Sequence, residues 1–198
     1  VTILIAASML IVMITWRRGS NILFEKTRRS EVPLTLLTDS LSRKPPTLVD
    51  GTAIFLTGDR DSTPTALLHS LKHYHVLHRQ NVVLTVKTAE RPRVPESERA
   101  EIEVVNDLFT RVTLHFGYME DPNIPKALAV CRKLGLKFDI MTTSFFLSRR
   151  TLKASAERGM PLWQDKLFMI LARNASSATE YYHIPTGRVV EIGTQVVI

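Results

Sequence analysis

The chain has 198 residues, a formal net charge of +7 and a single cysteine, Cys131. One cysteine excludes an internal disulfide framework and fits a reducing compartment. The positive charge is concentrated, because residues 17–29 hold five basic residues and one acidic residue, whereas residues 30–198 hold 21 basic and 18 acidic residues. The larger part of the chain is therefore nearly balanced, which argues against a basic nucleic-acid-binding face.

Residues 1–16 form an uncharged apolar run, VTILIAASMLIVMITW, which is followed by Arg17 and Arg18. As a helix this run would be about 24 Å long, against a bilayer core of about 30 Å. We interpret residues 1–18 as the end of a transmembrane helix that begins within the membrane, so we expect a longer membrane protein. Flanking basic residues stay on the cytoplasmic side, which places the residues after about 18 in the cytoplasm.

Two alternatives for this apolar run are a secretory signal peptide and a buried core helix. A signal peptide needs a positively charged region before the apolar stretch, and here the charges follow it. A core helix usually shows a polar face, whereas Thr2, Ser8 and Thr15 are the only weakly polar positions in this run.

Residues 19–50 predict a basic, amphipathic connector. Pro33 interrupts it, and Pro45-Pro46 ends any helix that reaches this point. Each basic residue near an anionic membrane surface gains about 1 kcal/mol. We therefore expect membrane lipid to be a partner of the basic residues on either side of the boundary at residue 18, which are Arg17, Arg18, Lys26, Arg28 and Arg29.

Residues 51–198 predict a single cytoplasmic α/β domain with a mixed sheet flanked by helices. The apolar runs GTAIFLT (51–57) and VVLTVKT (82–88) are typical of buried strands. Between them a helix is predicted to begin with Thr63 as N-cap and Pro64 at its first position. This helix is predicted to end near His78, before a break at Asn81. Its predicted apolar face includes Tyr74. Strand, crossover helix and strand form a parallel βαβ unit.

The following elements complete the predicted domain. Apolar and polar residues alternate at 101–105 and at 110–116, and this pattern predicts an antiparallel hairpin. A helix at 125–134 is predicted to end at Gly135, and residues 138–147 resemble another strand. The last elements are a helix from Leu162 to about Tyr182 and a closing strand at 188–198. The residues of this helix that are predicted to face inward are Leu167, Ile170, Leu171, Ala175 and Ala178.

No catalytic motif, Walker loop, dinucleotide glycine pattern or paired-cysteine metal motif occurs in the sequence. The turn at 58–62 carries Asp59 and Asp61, which would repel a phosphate, so capping by a polar turn is the preferred interpretation. His69 and His73 are spaced to share a metal ion, but no further ligand follows on that helix. We predict no catalytic, cofactor-binding or metal-binding residues, no cofactor and no enzyme activity.

The single cysteine and two pairs of aromatic residues are interpreted as structural residues. Cys131 lies among Ala127, Leu128 and Leu134 in a predicted helix, which indicates a buried small apolar residue. The pairs Phe145-Phe146 and Tyr181-Tyr182 are predicted to belong to the core, since no basic groove accompanies them and base stacking on nucleic acid usually needs one.

Several long stretches of the chain resemble one family. They lie in order along the sequence, and they are GTAIFLT (51–57), PTALLHSLKHYHVLH (64–78), VVLTVKT (82–88), GYMEDPNIPKAL (117–128), TSFFLSRRTL (143–152), PLWQDKLFMILARNA (161–175) and IPTGRVVEIGTQVVI (184–198). Together they resemble the C-terminal part of bacterial Kup-type (KUP/HAK/KT) potassium uptake transporters.

The resemblance implies a proton-coupled potassium symporter, multi-pass in the bacterial inner membrane. This chain would supply the end of the last span and the cytoplasmic domain, and potassium and protons would bind in upstream spans. The domain is then expected to be regulatory and to stabilise a homodimer. Two alternatives stay open: a regulatory module that binds a ligand such as a nucleotide, and a membrane-anchored enzyme.

Overall fold

The computed structural model describes residues 1–29, 32–153, 160–174 and 177–197. The chain divides into two compact units. The first, called here the α1–α5 unit, comprises Val1–Glu31, Arg149–Ser176 and Gly193–Ile198. The second, called the sheet unit, comprises Val32–Ser148 and Ser177–Ile192. The predicted boundaries at residues 18 and 50 stay a prediction.

Helices and strands are interspersed along the described part of the chain. The helices are α1 (Thr2–Arg29), α2 (Leu34–Arg43), α3 (Thr65–Tyr74), α4 (Ile124–Lys133), α5 (Leu162–Arg173) and α6 (Ala178–Tyr181). The strands are β1 (Thr47–Thr57), β2 (Val76–Ala89), β3 (Ala100–Val104), β4 (Phe109–Gly117), β5 (Thr143–Lys153) and β6 (Val189–Val197). Short 3₁₀ turns lie at Glu96–Glu98, Ile140–Thr142 and Thr186–Arg188.

The strands form one mixed sheet in the order β3-β4-β2-β1-β5-β6. Strand β1 pairs in parallel with β2 and β5, β2 pairs in parallel with β4, and β3 is antiparallel to β4 at the edge of the sheet. The predicted fold class, an apolar N-terminal helix followed by a mixed sheet flanked by helices, is confirmed.

The central strands bury side chains on both faces of the sheet, as parallel strands covered by helices do. Successive side chains of a strand point to opposite faces, so Phe55 and Ile54 enter different cores. Helices α2 and α3 cover one face through residues such as Leu34 and Leu67. Helix α4 covers the other face through Ile124, Ala127, Leu128 and Cys131.

Three predicted motifs are confirmed. The parallel strand pair has the register Thr52↔Gln80 to Thr57↔Thr85, with α3 between its strands. The antiparallel hairpin pairs Ala100↔Leu114 to Val104↔Thr110. Helix α4 ends as expected, because Gly135 follows it with φ +99°, a conformation that glycine adopts without strain.

The predicted helix 63–78 is too long, because α3 ends at Tyr74. His75 caps it in the left-handed region, with φ 56° and its N–H donating to the Leu71 carbonyl. Strand β2 then begins at Val76, so His78 and Asn81 lie within a strand. Asn81 does not break it, since its Nδ2 donates to the His78 and Leu108 carbonyls. Tyr74 is exposed and is not part of an apolar face.

The N-terminus of α3 also differs from the prediction. Pro64 occupies the N-cap position, and no side chain caps the helix. The Thr63 hydroxyl is buried without a hydrogen-bond partner among the described residues, so it does not act as the predicted cap.

The apolar N-terminal helix does not end at Arg18. Helix α1 runs for 28 residues to Arg29, so the first part of the predicted connector is helical. Arginine and lysine favour a helix almost as well as leucine does, so the first basic residues end the apolar surface and not the helix. Beyond residue 31, α2 begins after Pro33 and ends at Arg43, as the prolines predict.

Two further boundaries were wrong. Strand β5 covers Thr143–Lys153, later than the predicted 138–147, because the 3₁₀ turn Ile140–Thr142 precedes it. The predicted helix 162–182 is two helices: α5 ends at its C-cap Asn174, and the Ser177 hydroxyl starts α6 by accepting from the Glu180 N–H at 3.2 Å.

The inward face of α5 also differs from the prediction. Its buried residues are Gln164, Asp165 and Phe168, whereas Ile170 is 56% exposed. Leu167 and Leu171 are partly buried, Ala178 is exposed in α6, and Ala175 lies outside the described residues.

Candidate functional site

A cavity of about 160 Å³ opens where β2 and β4 end within the sheet unit. These strands are in parallel register from Asn81↔Phe109 to Ala89↔Gly117, so their carboxyl ends meet at one edge. The cavity is lined by Val86, Thr88, Phe116, Gly117, Tyr118, Glu120, Pro122, Tyr181 and Tyr182. Clefts at this edge of α/β sheets are common places for small ligands.

The carboxylate of Glu120 holds the loop after β4 in place. The Arg99 guanidinium donates to both of its oxygens, at 2.6 Å and 2.9 Å. The N–H groups of Gly117 and Val94 donate to Glu120 Oε2 at 2.6 Å and 3.2 Å. The hydrogen bond from Arg99 lowers the pKa of Glu120 to about 2, against the opposing effect of burial.

Arg99 is itself held on several sides. It donates to the carbonyls of Val94 (2.7 Å) and His115 (3.0 Å), and its guanidinium carbon lies 4.9 Å from the centroid of the Phe116 ring. Because the pair is largely buried and mutually satisfied, Glu120 and Arg99 fix the loop after β4 at the edge of the cavity.

Two tyrosines, Tyr181 and Tyr182, also line the cavity. The rings of Tyr181 and Tyr182 meet edge to face, with their centroids 5.0 Å apart. The Tyr182 carbonyl accepts from the Ile124 N–H at 3.1 Å, which ties Tyr182 to the start of α4. Burial raises the pKa of Tyr182, so its hydroxyl stays protonated near neutral pH.

The acidic turn between β1 and α3 is used internally. Asp59 Oδ1 accepts from the Asp61 N–H at 3.2 Å, and the Asp61 carbonyl accepts from the Leu34 N–H at 3.1 Å. Arg60 pairs with Glu103 at 2.7 Å and with Glu101 at 3.4 Å. These contacts give the turn a structural role, because they tie it to α2 and β3.

His69 and His73 stack on one face of α3, with ring centroids 5.8 Å apart. In the described part of the chain, no group of three or more His, Cys, Asp or Glu residues is arranged to hold a metal ion. Cys131 is buried, as predicted, and burial raises the pKa of its thiol to about 11, which keeps it in the unreactive protonated form. The prediction that the chain has no metal or catalytic residues stays a prediction.

In the α1–α5 unit, helix α5 packs against the basic end of α1. The rings of Trp16 and Phe168 are 5.5 Å apart, and a Cβ atom at Gly19 would overlap the Phe168 ring. Among the described residues, one helix is long and apolar enough to cross a membrane, and it is α1, over residues 2–28. The contact therefore lies where its apolar surface gives way to Arg17 and Arg18.

Asp165 is an unusual residue in this contact, because it is 1% exposed and neither carboxylate oxygen has a hydrogen-bond partner among the described residues. Burial raises its pKa, and the positive charge of Lys26 opposes that shift. Sequence reasoning missed Asp165, since an acidic residue in the first turn of a helix is ordinarily exposed.

Asp165→Asn is expected to stabilise the packing of α5 by about 1 kcal/mol at pH 7, because a buried group without hydrogen bonds costs more when it is charged. The folded-state pKa is raised, so the cost of ionisation disappears as the pH falls below about 3.8, where both states are protonated. Hydrogen exchange of the α5 amides in detergent, followed against pH, measures the difference. Asp39→Asn, at an exposed site on α2, should leave it unchanged.

Comparison with known proteins identifies the family. The sequence model described as "K+ potassium transporter C-terminal domain" matches residues 50–198. The chain is 65% identical over 192 residues to the "Probable potassium transport system protein Kup" of Brucella anthropi, which covers 97% of this chain and 30% of that protein. No solved structure matches the chain.

Two proteins of Mesorhizobium japonicum are similarly close. "Probable potassium transport system protein Kup 1" and "Kup 2" are each 66% identical over 100% of this chain and 31% of their own length. The chain thus spans about 30% of the length of the curated relatives that it matches. With the family model covering most of the chain and identity extending along its whole length, the chain belongs to the K+ potassium transporter C-terminal domain family.

Proposed function

We propose that this chain is the C-terminal part of a potassium:proton symporter that mediates potassium uptake across the bacterial inner membrane. The observation that carries the proposal is identity of 65–66% along almost the entire chain to relatives named as potassium transport proteins. Those relatives are about three times as long, which leaves room upstream for the other spans and for the sites that bind potassium and protons.

Helix α1 would be the end of the last span. Its 28 residues give a length of about 42 Å, more than the hydrocarbon core needs, so its basic end would project from the membrane. Arg17, Arg18, Lys26 and Arg28 follow the apolar run, and this arrangement favours a cytoplasmic position for the rest of the chain. The same residues would bind anionic lipid headgroups.

The sheet unit would be regulatory and would contribute to a homodimer, with no enzyme activity of its own. Its titratable groups support this assignment: the Glu120 carboxylate is occupied by Arg99 and two backbone N–H groups, and the Cys131 thiol is buried. Neither is placed to exchange a proton with a substrate.

Deletion of residues 51–198 from the full-length transporter is expected to reduce the rate of potassium uptake. The selectivity, measured as the ratio of the potassium and sodium uptake rates, should not change. Selectivity comes from close coordination of a dehydrated ion. A domain outside the membrane can shift the balance of transporter states, and a coupling of about 1–3 kcal/mol would change that balance about 5- to 150-fold. Uptake by vesicles with matched amounts of inserted protein measures both quantities. A changed selectivity at an unchanged rate would contradict the proposal.

A second candidate function is a ligand-binding regulatory module that acts on the same transporter. The cavity between the ends of β2 and β4 favours it, because an aromatic wall and tyrosine hydroxyls suit a nucleobase-like ring. Calorimetric titration with nucleosides and nucleotides should then give saturable heat that is lost in Tyr182→Ala. Tyr74→Ala, at an exposed tyrosine on α3, is the matched control. The absence of saturable heat with the unmodified protein would exclude these ligands.

A further inference from the structure

Helix α5 has two faces of different composition. Its inner face, with Gln164, Asp165 and Phe168, is buried within the α1–α5 unit. The opposite face is exposed and consists of Leu162, Trp163, Lys166, Ile170 and Arg173. Leu162 and Trp163 are neighbours, and the next residues follow at spacings of three or four positions, which places all five on one side of the helix.

The exposed face does not resemble that of an ordinary soluble helix, which would be polar. Leu162 and Trp163 are each 54% exposed and Ile170 is 56% exposed. The two charged residues on this face, Lys166 and Arg173, are both basic. Tryptophan and leucine alongside lysine and arginine are characteristic of helices that lie in the interface of a membrane.

The contact with α1 sets the depth of α5. Phe168, on the inner face, packs on Trp16 and against Gly19. Trp16 ends the apolar run, Arg17 and Arg18 begin the basic segment, and tryptophan prefers the headgroup level of a bilayer. A helix fixed at this level lies where acyl chains meet phosphate groups.

We propose that α5 is a membrane-surface helix whose exposed face binds anionic phospholipid. The proposal rests on the proposed function, in which α1 spans the membrane. Leu162, Trp163 and Ile170 would enter the acyl boundary, while Lys166 and Arg173 extend their charged ends to the phosphates. A lipid surface fits this face better than a protein partner does, because both of its charges are positive and the adjoining end of α1 is also basic.

Fluorescence quenching in the full-length transporter tests this placement. Single cysteines at Leu162 and Ile170 are labelled with a fluorophore in vesicles that contain phosphatidylglycerol, after replacement of other reactive cysteines. A third label at Met9 reports on α1. Lipids with a nitroxide near the headgroup should quench the labels at 162 and 170, and lipids with a nitroxide deep in the acyl chain should quench the label at Met9.

Other outcomes separate the two proposals. If the Met9 label is quenched but the labels at 162 and 170 respond only to aqueous iodide, α1 spans and α5 faces water, so this inference is wrong. If those labels respond to neither quencher, protein covers the face, and the inference is also wrong. If the Met9 label responds to aqueous iodide and not to the lipid nitroxides, α1 is not a span and the proposed function fails with it.

Charge variants test the lipid chemistry. Lys166→Gln with Arg173→Gln should lower the ratio of lipid-bound to unbound α5 by about fivefold for each charge removed, in anionic vesicles. The charge-preserving pair Lys166→Arg with Arg173→Lys should leave the ratio unchanged, and both variants should behave alike in phosphatidylcholine. An equal response of the two variants in anionic vesicles would overturn the role assigned to the basic residues.

Discussion

Replacing Arg99 by leucine is expected to destabilise the sheet unit by about 3–5 kcal/mol, because it leaves the carboxylate of Glu120 largely buried without its charged partner. Arg99 and Glu120 share two hydrogen bonds of 2.6 Å and 2.9 Å, and their side chains are only 14% and 17% exposed. The loss should appear as faster hydrogen exchange of amides in β2 and β4, measured in detergent.

The matched control is Arg60→Gln, which breaks exposed ion pairs with Glu101 and Glu103. Exposed pairs contribute at most about 1 kcal/mol, so exchange in the same strands should change little. Equal effects of the two substitutions would show that the buried pair contributes no more than a surface pair.

Lowering the pH should destabilise the sheet unit, as the loss of Arg99 does. The pKa of Glu120 in the folded chain is about 2, below its ordinary value of 4.5, so its contribution to stability is complete above pH 4.5. That contribution decreases as the pH falls from 4.5 towards 2. The Arg99→Leu variant should lack this part of the acid dependence.

Replacing Gly19 by leucine is expected to detach α5 from α1, at a cost of about 3 kcal/mol. Even a Cβ atom at this position would overlap three atoms of the Phe168 ring, and Phe168 is 1% exposed, so the whole ring would have to move. Small residues allow this kind of close approach between helices. Hydrogen exchange of the α5 amides should accelerate, and the fluorescence of Trp16 should change with the loss of its aromatic neighbour.

Gly193→Leu provides the control for this substitution. It lies in the same unit, but a Cβ atom there meets no other atom within 4 Å. Exchange in α5 should therefore be unaffected. If Gly19→Leu behaved in the same way, the packing of Phe168 on α1 would not hold α5 in place.

The elements that could be predicted from the sequence are those with a strong local pattern. The runs at 51–57 and 82–88 are apolar on both faces and so indicated buried parallel strands. The end of α3 could not be predicted, because a histidine, not a glycine, takes the left-handed conformation there. The extension of α1 was missed because the change from apolar to basic residues resembled the end of the helix.

The cavity could not be predicted from the sequence for a different reason. Thr88, Phe116 and Tyr182 line it from three distant segments, and only the pairing of β2 with β4 brings the first two together. Glu120 and Arg99 are separated by 21 residues, a spacing that matches no local motif. Contacts of this kind depend on tertiary structure and leave no periodic signal in the chain.

The edge strand β3 restricts how two copies of this chain could associate. An unprotected sheet edge invites a second strand and hence aggregation, but β3 has only five residues and carries Glu101 and Glu103. Antiparallel self-pairing centred on Ile102 would place Glu101 of one copy opposite Glu103 of the other, and like charges in that position repel. Both glutamates are also engaged by Arg60 of their own chain. A continuous intermolecular sheet through β3 is therefore disfavoured, and a homodimer would use another surface.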